Sequence, residues 1–477
     1  MAGEAREKCA VSGVVMQDPL LDASPLVYET LFAMQHRGVE ACGITSQDAE
    51  GDITYVRERG LVRDVFTPEV MNTLLGSMAV GHNRYSTSGS KVDHPQPFID
   101  KWLAMSIAMN GNLPLVDYLQ TRLSAQNIKT SKANDTELMG LSIAQHMRNG
   151  LALPSAIELT YPLLRGAFSC VAIHDDTMVA FRDNKGIRPL ALGSTENGVV
   201  IASETCGLDI VGAKYEREIR PGEMLIVAKN GEMYSRQIAE GEEKLDMFEF
   251  VYFARHDSYL YGKSVNEVRR NFGKELAKQH PPITNKTKNI LVVPVPDTSV
   301  PAAEGYAKKL GLEQRQAIIK NRFIGRTFML PNQAQRKDQL RRKHNIIPEA
   351  IKGRDLVLID DSIVRLNTMP KLVQLAKSCG AKTVSVLIAS PPVRFPDYYG
   401  IDTPAQKELA AANLTIEQMR KKIKCDYLGF LSLSGTVNAT GLTADKFNLS
   451  CFNGEYPIGI GARKKEIFTP VSMEGIE

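Results

Sequence analysis

No Cys-x-x-Cys pair occurs among the seven cysteines of this 477-residue chain; their number is odd and their spacing irregular. A disulfide framework and a zinc ribbon are therefore not expected, and the setting reads as reducing and cytoplasmic. There is no apolar run of about 20 residues, so no membrane-spanning helix is predicted. Met1-Ala-Gly-Glu-Ala-Arg-Glu-Lys8 lacks an apolar stretch after its charges and does not read as a secretory signal. Repeats with a period of roughly 20 to 50 residues and low-complexity tracts are also missing. Excess charge is scarce: a formal net charge of +4 on this length does not argue for nucleic acid. What is present is ordinary globular usage, 43% hydrophobic and 23% charged, on a chain long enough for roughly two or three domains.

The most informative stretch is Leu356-Val-Leu-Ile-Asp-Asp-Ser-Ile-Val-Arg-Leu-Asn-Thr368. Leu356 to Ile359 is a continuous apolar run, the pattern of a parallel strand covered on both faces, and Pro370 with the following Lys-Leu-Val-Gln-Leu-Ala-Lys predicts a helix. In such a unit a ligand sits beyond the carboxyl end of the strand, facing the loop amides and the helix N-terminus. Asp360 and Asp361 stand at that end. Two adjacent carboxylates suit a sugar's vicinal hydroxyls or a hard cation that bridges to phosphate. The whole run resembles the loop by which type I phosphoribosyltransferases hold 5-phosphoribosyl-1-pyrophosphate. That resemblance implies that Asp360, Asp361, Ser362, Arg365, Asn367 and Thr368 bind this substrate. One position departs: the family places a small residue, usually Gly, where this chain has Leu366, so that backbone amides can close on the 5′-phosphate.

In the first half, Cys9-Ala-Val-Ser-Gly-Val-Val15 is a short β-type run beginning with a thiol. Gln35-His-Arg-Gly38 closes a helix-like segment, Gly81-His-Asn-Arg-Tyr-Ser-Thr-Ser-Gly89 is a polar loop, and Met109-Asn-Gly-Asn-Leu113 and Asn134-Asp-Thr-Glu137 follow. Taken alone, Cys9 reads as a core residue, Arg84 as half of a surface ion pair and Asn110-Gly111 as a hairpin turn. In this order the pieces resemble class II glutamine amidotransferases, from Cys9 to about Glu223. The resemblance implies an α+β N-terminal-nucleophile hydrolase domain, two stacked antiparallel sheets between helix layers (αββα). Cys9 is then the nucleophile, with its own α-amine as base once Met1 to Lys8 are removed. Asn110 and the Gly111 N–H form the oxyanion hole, Arg84 pairs with the glutamine α-carboxylate and Asp135 takes its α-ammonium. The family usually has His at Met109 and Gly at Ala10. Cys206, within Ala202-Ser-Glu-Thr-Cys206, is expected in the core, and Lys185-Gly186 and Pro221-Gly222 as turns.

Lys229 to Lys244 is polar and charge-rich, reading as a hairpin and a link. The expected division is a propeptide at 1–8, a glutaminase domain at 9–240, an α/β phosphoribosyltransferase domain with a mainly parallel sheet at 248–457, and a loosely ordered polar tail at 458–477. Glu249-Phe-Val-Tyr-Phe-Ala-Arg-His-Asp-Ser258 resembles the entry to the second domain of enzymes that join these two halves; His256 stands where they usually have Pro. Asn289-Ile-Leu-Val-Val-Pro-Val-Pro-Asp-Thr-Ser-Val-Pro-Ala-Ala303 reads as strand, turn and helix start. The resemblance makes Thr298 a ligand of Mg2+ alongside Asp360 and Asp361; capping the helix is an equal use of Thr298 or Ser299.

The basic stretch from Lys320 through Arg322, Arg326 and on to His344 fits a lid whose Lys and Arg clamp pyrophosphate, the role the resemblance gives Lys320, Arg322 and Arg326. A solvated face or a nucleic-acid arm are the other readings. Some members hold an iron–sulfur cluster through thiols at the positions of Asp397 and Asp246 and through a C-terminal Cys-x-x-Cys. Here only Cys451 remains at the last of these, so no cluster is expected.

Together the resemblances imply hydrolysis of glutamine at Cys9 and internal transfer of ammonia. Displacement of pyrophosphate from 5-phosphoribosyl-1-pyrophosphate then gives 5-phosphoribosylamine, the first committed step of purine synthesis. They also imply a homo-oligomer under purine-nucleotide feedback, with no nucleic-acid or membrane partner. The alternative is a paralogue that has lost phosphoribosyl transfer and acts as a nucleotide-sensing regulator.

Overall fold

The computed structural model describes residues 9–84, 95–282, 289–321 and 344–474, apart from 402 and 404. Over these residues the first half carries two antiparallel sheets face to face. In the seven-stranded sheet Ala10–Met16 is the central strand, between Gly198–Ala202 and Met78–Arg84. The six-stranded sheet pairs Met105–Leu115 with Phe98–Asp100 on one side and Arg165–His174 on the other.

The period of two along Ala10–Met16 explains the layering. Val11 and Val15 enter the core between the sheets, while Ala10, Val14 and Met16 pack under the helix Ser24–Ala33. On the outer face of the second sheet, Met105, Ile107 and Met109 meet the helices Asp135–Arg148 and Leu153–Thr160. The result is the four-layer αββα arrangement.

Asn110 and Gly111 do not form a turn. They lie inside the strand Met105–Leu115, opposite Ser169 and Phe168. The Asn-Gly preference for hairpins is overridden by pairing with the Arg165–His174 strand.

The second half is built on a five-stranded parallel sheet, in the order Glu313–Gln314, Ile290–Pro294, Asp355–Asp360, Thr383–Ile388, Tyr427–Phe430. Both faces are covered, which is why Leu356 to Ile359 is apolar without alternation: Leu356 and Leu358 enter one core, Val357 and Ile359 the other. In chain order the strands read 2-1-3-4-5, so the connections diverge between Ile290–Pro294 and Asp355–Asp360. A ligand cleft is expected beyond the carboxyl ends of those two strands.

The halves are knitted together. Leu245–Asp246 pairs in parallel with Phe447–Asn448, and Tyr398, Tyr399 and Ile460 share a buried cluster with Ala167 and Ile187. The described part of the tail is held rather than loose: Gln406 exchanges two hydrogen bonds with the Phe468 backbone, and Arg394 donates to the Ser472 carbonyl at 2.7 Å. Among the described residues no helix is long and apolar enough to cross a membrane.

Candidate active sites

Cys9 is buried and has φ of +64°, a left-handed conformation that residues other than glycine use sparsely and that concentrates at functional sites. In the adjacent antiparallel pair Ala10 faces Asn83, so Cys9 and Arg84 leave the sheet side by side. Arg84 Nη1 is buried and lacks a hydrogen-bond partner among the described residues. Asn110 is fully buried, and its side-chain oxygen and nitrogen both lack a hydrogen-bond partner among the described residues. A buried amide costs free energy when unsatisfied, so an oxyanion that supplies the missing acceptor would be strongly held. Gly111 has φ of +146°, and a Cβ there would lie 2.0 Å from the Ala167 carbonyl oxygen. Only glycine fits.

Asp135 opens the helix Asp135–Arg148, behind a capping box formed by Asn134 and Glu137. Its Oδ2 accepts from Leu113 N at 3.1 Å, which ties it to the strand Met105–Leu115. Met109, where the family usually has His, turns its side chain into the outer core, while Ala108 on the opposite face lies between the sheets. Its carbonyl receives the ring N–H of buried His82, Nε2 to O 3.2 Å. Burial, with Arg84 adding to it, pushes His82 down to about 3, so the ring is a neutral donor.

Sequence reasoning passed over the group behind Cys9. Arg37 Nε donates to the Cys9 carbonyl at 3.2 Å, and its other nitrogens reach Glu249 and Glu204. Burial would lower the Arg37 pKa, but Glu249 and Glu204 outweigh it and raise it well above its ordinary value. Arg37 was visible in the Gln35–Gly38 motif; its partners, distant in sequence, were not.

The second cleft lies at the divergence point of the parallel sheet. Asp297, Thr298, Lys320, Asp360, Asp361 and Arg365 line it, together with Ser362 and Thr368. Lys320 Nζ sits 3.2 Å from Asp297 Oδ2, and Ser362 Oγ donates to Asp361 Oδ1 at 2.7 Å. Arg365 is paired with Glu408 at 2.5 Å. Neither Thr298 nor Ser299 caps the next helix: Ser299 occupies the cap position but donates to the Val295 carbonyl instead. Asn367 is half-buried beside the cleft, outside its lining. Leu366, the departure from the family pattern, packs its side chain against the core under the sheet. Arg322 and Arg326 lie outside the described residues. Tyr252 and His344 also line the cleft; only the position of Tyr252 within the Glu249–Ser258 motif could have signalled it.

Thr298, Asp360 and Asp361 offer oxygen donors only. Among the described residues no group of three or more His, Cys, Asp or Glu could cage a metal ion. An oxygen set of so few protein ligands suits Mg2+, which keeps several waters and takes substrate phosphates as ligands.

A model for a glutamine amidotransferase domain matches residues 82–209, a span that includes Asn110, Gly111 and Asp135. Amidophosphoribosyltransferase from Synechococcus elongatus is 40% identical over 463 residues, covering 95% of this chain and 92% of that one. The chain belongs to the amidophosphoribosyltransferase family. The member from Archaeoglobus fulgidus is 37% identical over 464 residues, 96% of this chain and all of that one. Glutamine phosphoribosylpyrophosphate amidotransferase from B. subtilis, solved with ADP and GMP, matches with a TM-score of 0.86 at 34% identity, covering 95% of this chain and 98% of that one. As an amidophosphoribosyltransferase the chain is a pentosyltransferase with a glutamine amidotransferase half, acting in purine biosynthesis. A regulator that has lost phosphoribosyl transfer is not favoured, because the relatives match over both halves.

In this amidophosphoribosyltransferase the positions that hold cluster thiols in some members are Asp246, Asp397 and Cys451, all buried. One thiol and two carboxylates do not fit a cluster that takes four thiolates. Burial, then the neighbouring Asp397, pushes the Asp246 carboxyl well above the usual carboxylate range, against the pull of Arg188. Glu249 adds to the upward push, and Cys451 packs against the same pair. A carboxyl raised in the folded state contributes stability that is fully present below its unfolded pKa, about 4, and is lost as pH rises toward its folded value. Asp246→Asn removes that loss. The variant is expected to gain unfolding free energy relative to the parent as pH is raised from about 5 to about 8, by at most about 1.4 kcal/mol per unit. Chemical denaturation at several pH values checks this; a difference independent of pH would mean that Asp246 is ionised in the folded chain.

Proposed function

We propose that the two clefts act in sequence, with Cys9 as the glutaminase nucleophile and the Asp360–Asp361 loop as the phosphoribosylpyrophosphate site. The buried amide of Asn110, without a hydrogen-bond partner among the described residues, carries this reading. Arg84 and Asp135 hold the α-carboxylate and α-ammonium of glutamine. The Cys9 thiol gives its proton to the free α-amine and its sulfur attacks the γ-carbonyl carbon. The oxyanion is received by Asn110 and the Gly111 N–H. Collapse expels ammonia, which takes the proton from the α-amine, and leaves a γ-glutamyl thioester that water hydrolyses to glutamate. The α-amine is available only if Met1 to Lys8 are removed.

Ammonia then attacks the anomeric carbon of 5-phosphoribosyl-1-pyrophosphate, the C–O bond to pyrophosphate breaks, and 5-phosphoribosylamine forms. Asp360 and Asp361 would hold the ribose hydroxyls and, with Thr298, Mg2+. When bound, Mg2+ supplies charge neutralisation on the pyrophosphate oxygens. Ser362, Asn367 and Thr368 seat the 5′-phosphate and Arg365 flanks it. Lys320 faces the leaving pyrophosphate, and the basic stretch that includes Arg322 and Arg326 would neutralise its charge. The domains run 9–240 and 248–457 in a cytoplasmic homo-oligomer. Purine nucleotides are the feedback ligands, in line with the ADP and GMP bound to the B. subtilis relative.

Intact mass of the purified chain, with pyrophosphate release under glutamine and then ammonium, tests the reading. A mass lacking Met1 to Lys8 and pyrophosphate from both nitrogen sources is expected. A processed chain that makes glutamate but releases no pyrophosphate from either source overturns it.

A further inference from the structure

The ion cluster behind Cys9 contains one residue from the other half of the chain. Arg37, besides donating to the Cys9 carbonyl, is held by Glu249 through two hydrogen bonds of 2.7 and 2.9 Å. Arg188 Nη2 reaches the same Glu249 Oε1 at 2.8 Å. Arg188 stands behind the oxyanion strand. Its carbonyl accepts from Ser169 Oγ at 2.8 Å, and Ser169 is the register partner of Asn110. A Cβ on Gly400 would lie 3.6 Å from Arg188 Cδ and 3.2 Å from Gly111 Cα, so Arg188, Gly400 and Gly111 are stacked. Glu204 completes the cluster. It accepts from Arg37 and, through Oε2, from Arg255 N at 2.9 Å and Ser258 Oγ at 2.7 Å. Arg255, Ser258 and Glu249 all belong to the segment that enters the phosphoribosyltransferase half.

We propose that Glu249 is a positioning residue of the glutaminase: one carboxylate from the second half fixes the nucleophile through Arg37 and backs the oxyanion strand through Arg188. The geometry supplies the reason. A two-pronged carboxylate sets the plane of a guanidinium, and with that plane set the single Nε–H of Arg37 points at the Cys9 carbonyl. Once Cys9 is the first residue, its carbonyl is one of few handles on its backbone, and both the thiol and the α-amine hang from that backbone. A shift on the order of 1 Å in such a group costs about 100-fold in rate. A purely adhesive role would need no contact with Cys9.

This inference rests on Cys9 as the nucleophile. The test is E249Q in the full chain, which keeps the shape and removes the charge, read in three ways. Glutamine-dependent kcat is expected to fall at least about tenfold with the glutamine KM changed less than about threefold. Alkylation of Cys9 by a diazoketone analogue of glutamine should slow in parallel. Ammonia-dependent pyrophosphate release should stay within about twofold of the parent. Equal losses with both nitrogen sources, or an unchanged glutamine kcat in folded E249Q, overturn the proposal. Should E249Q not fold, R37K decides. It keeps the charge but loses the planar fork, and the same split between nitrogen sources is expected; a full glutamine rate in R37K overturns the proposal. If Cys9 were not the nucleophile, the parent itself would resist the analogue, so that failure is distinguishable.

Discussion

Cys9→Ala is expected to lower glutamine-dependent pyrophosphate release at least about a thousandfold while leaving ammonia-dependent release within about twofold. The asymmetry follows from the separation of the sites. In the proposed reaction the Cys9 thiol forms the acyl intermediate, and the other cysteines of the first half, Cys42, Cys170 and Cys206, are buried, with burial the main cause pushing each thiol up and away from the thiolate. The substitution removes one sulfur at a position where the side chain is small and the backbone is held through Arg37, so the fold should tolerate it. Free ammonia needs only the second cleft, whose lining comes wholly from the second half. Loss of both activities in a folded variant would mean that the clefts are not independent catalysts. Steady-state rates with the two nitrogen sources, beside a thermal unfolding midpoint, separate these outcomes.

The parallel strand ending in Asp360 was legible because burial on both faces leaves a run that no other element explains, and the polar turn after it marks the ligand side of the sheet. The antiparallel first half was legible mainly as a set of ordered motifs. Where local pattern failed, a distant partner had decided the matter. Asn110-Gly111 carries the local preference of a turn, yet Gly111 sits in a strand because Ala167 presses on it from the neighbouring strand. The link from Arg37 to Glu249 joins residues from opposite halves, and nothing in the composition of either segment announces it. Leu366 shows the converse. Read in one dimension it obstructs a phosphate loop; in three dimensions its half-buried side chain packs against a core cluster of the parallel sheet.

The double change Asp360→Asn, Asp361→Asn is expected to lower pyrophosphate release at least about a hundredfold with glutamine and with ammonia alike, and to raise the Mg2+ concentration needed for half-maximal rate. Both carboxylates are half-buried at the carboxyl edge of the sheet. Asp360 Oδ1 accepts from Asp361 N at 3.0 Å, a bond that an asparagine oxygen can also accept, so the loop should keep its shape. What disappears is two negative charges in a cleft that Lys320 also lines, itself 3.2 Å from Asp297. The ribose hydroxyls lose charged acceptors, worth more than neutral ones, and a hard cation loses its anionic protein ligands. Glutamate formation from glutamine alone, measured without the phosphoribosyl substrate, should be unaffected, since Asp360 and Asp361 line the second cleft. A variant that still releases pyrophosphate from ammonia at the parent rate would remove Asp360 and Asp361 from the reaction and require another anionic pair at the divergence of the sheet. Asp297 would be the first to examine, because it faces the same cleft from the neighbouring strand's turn.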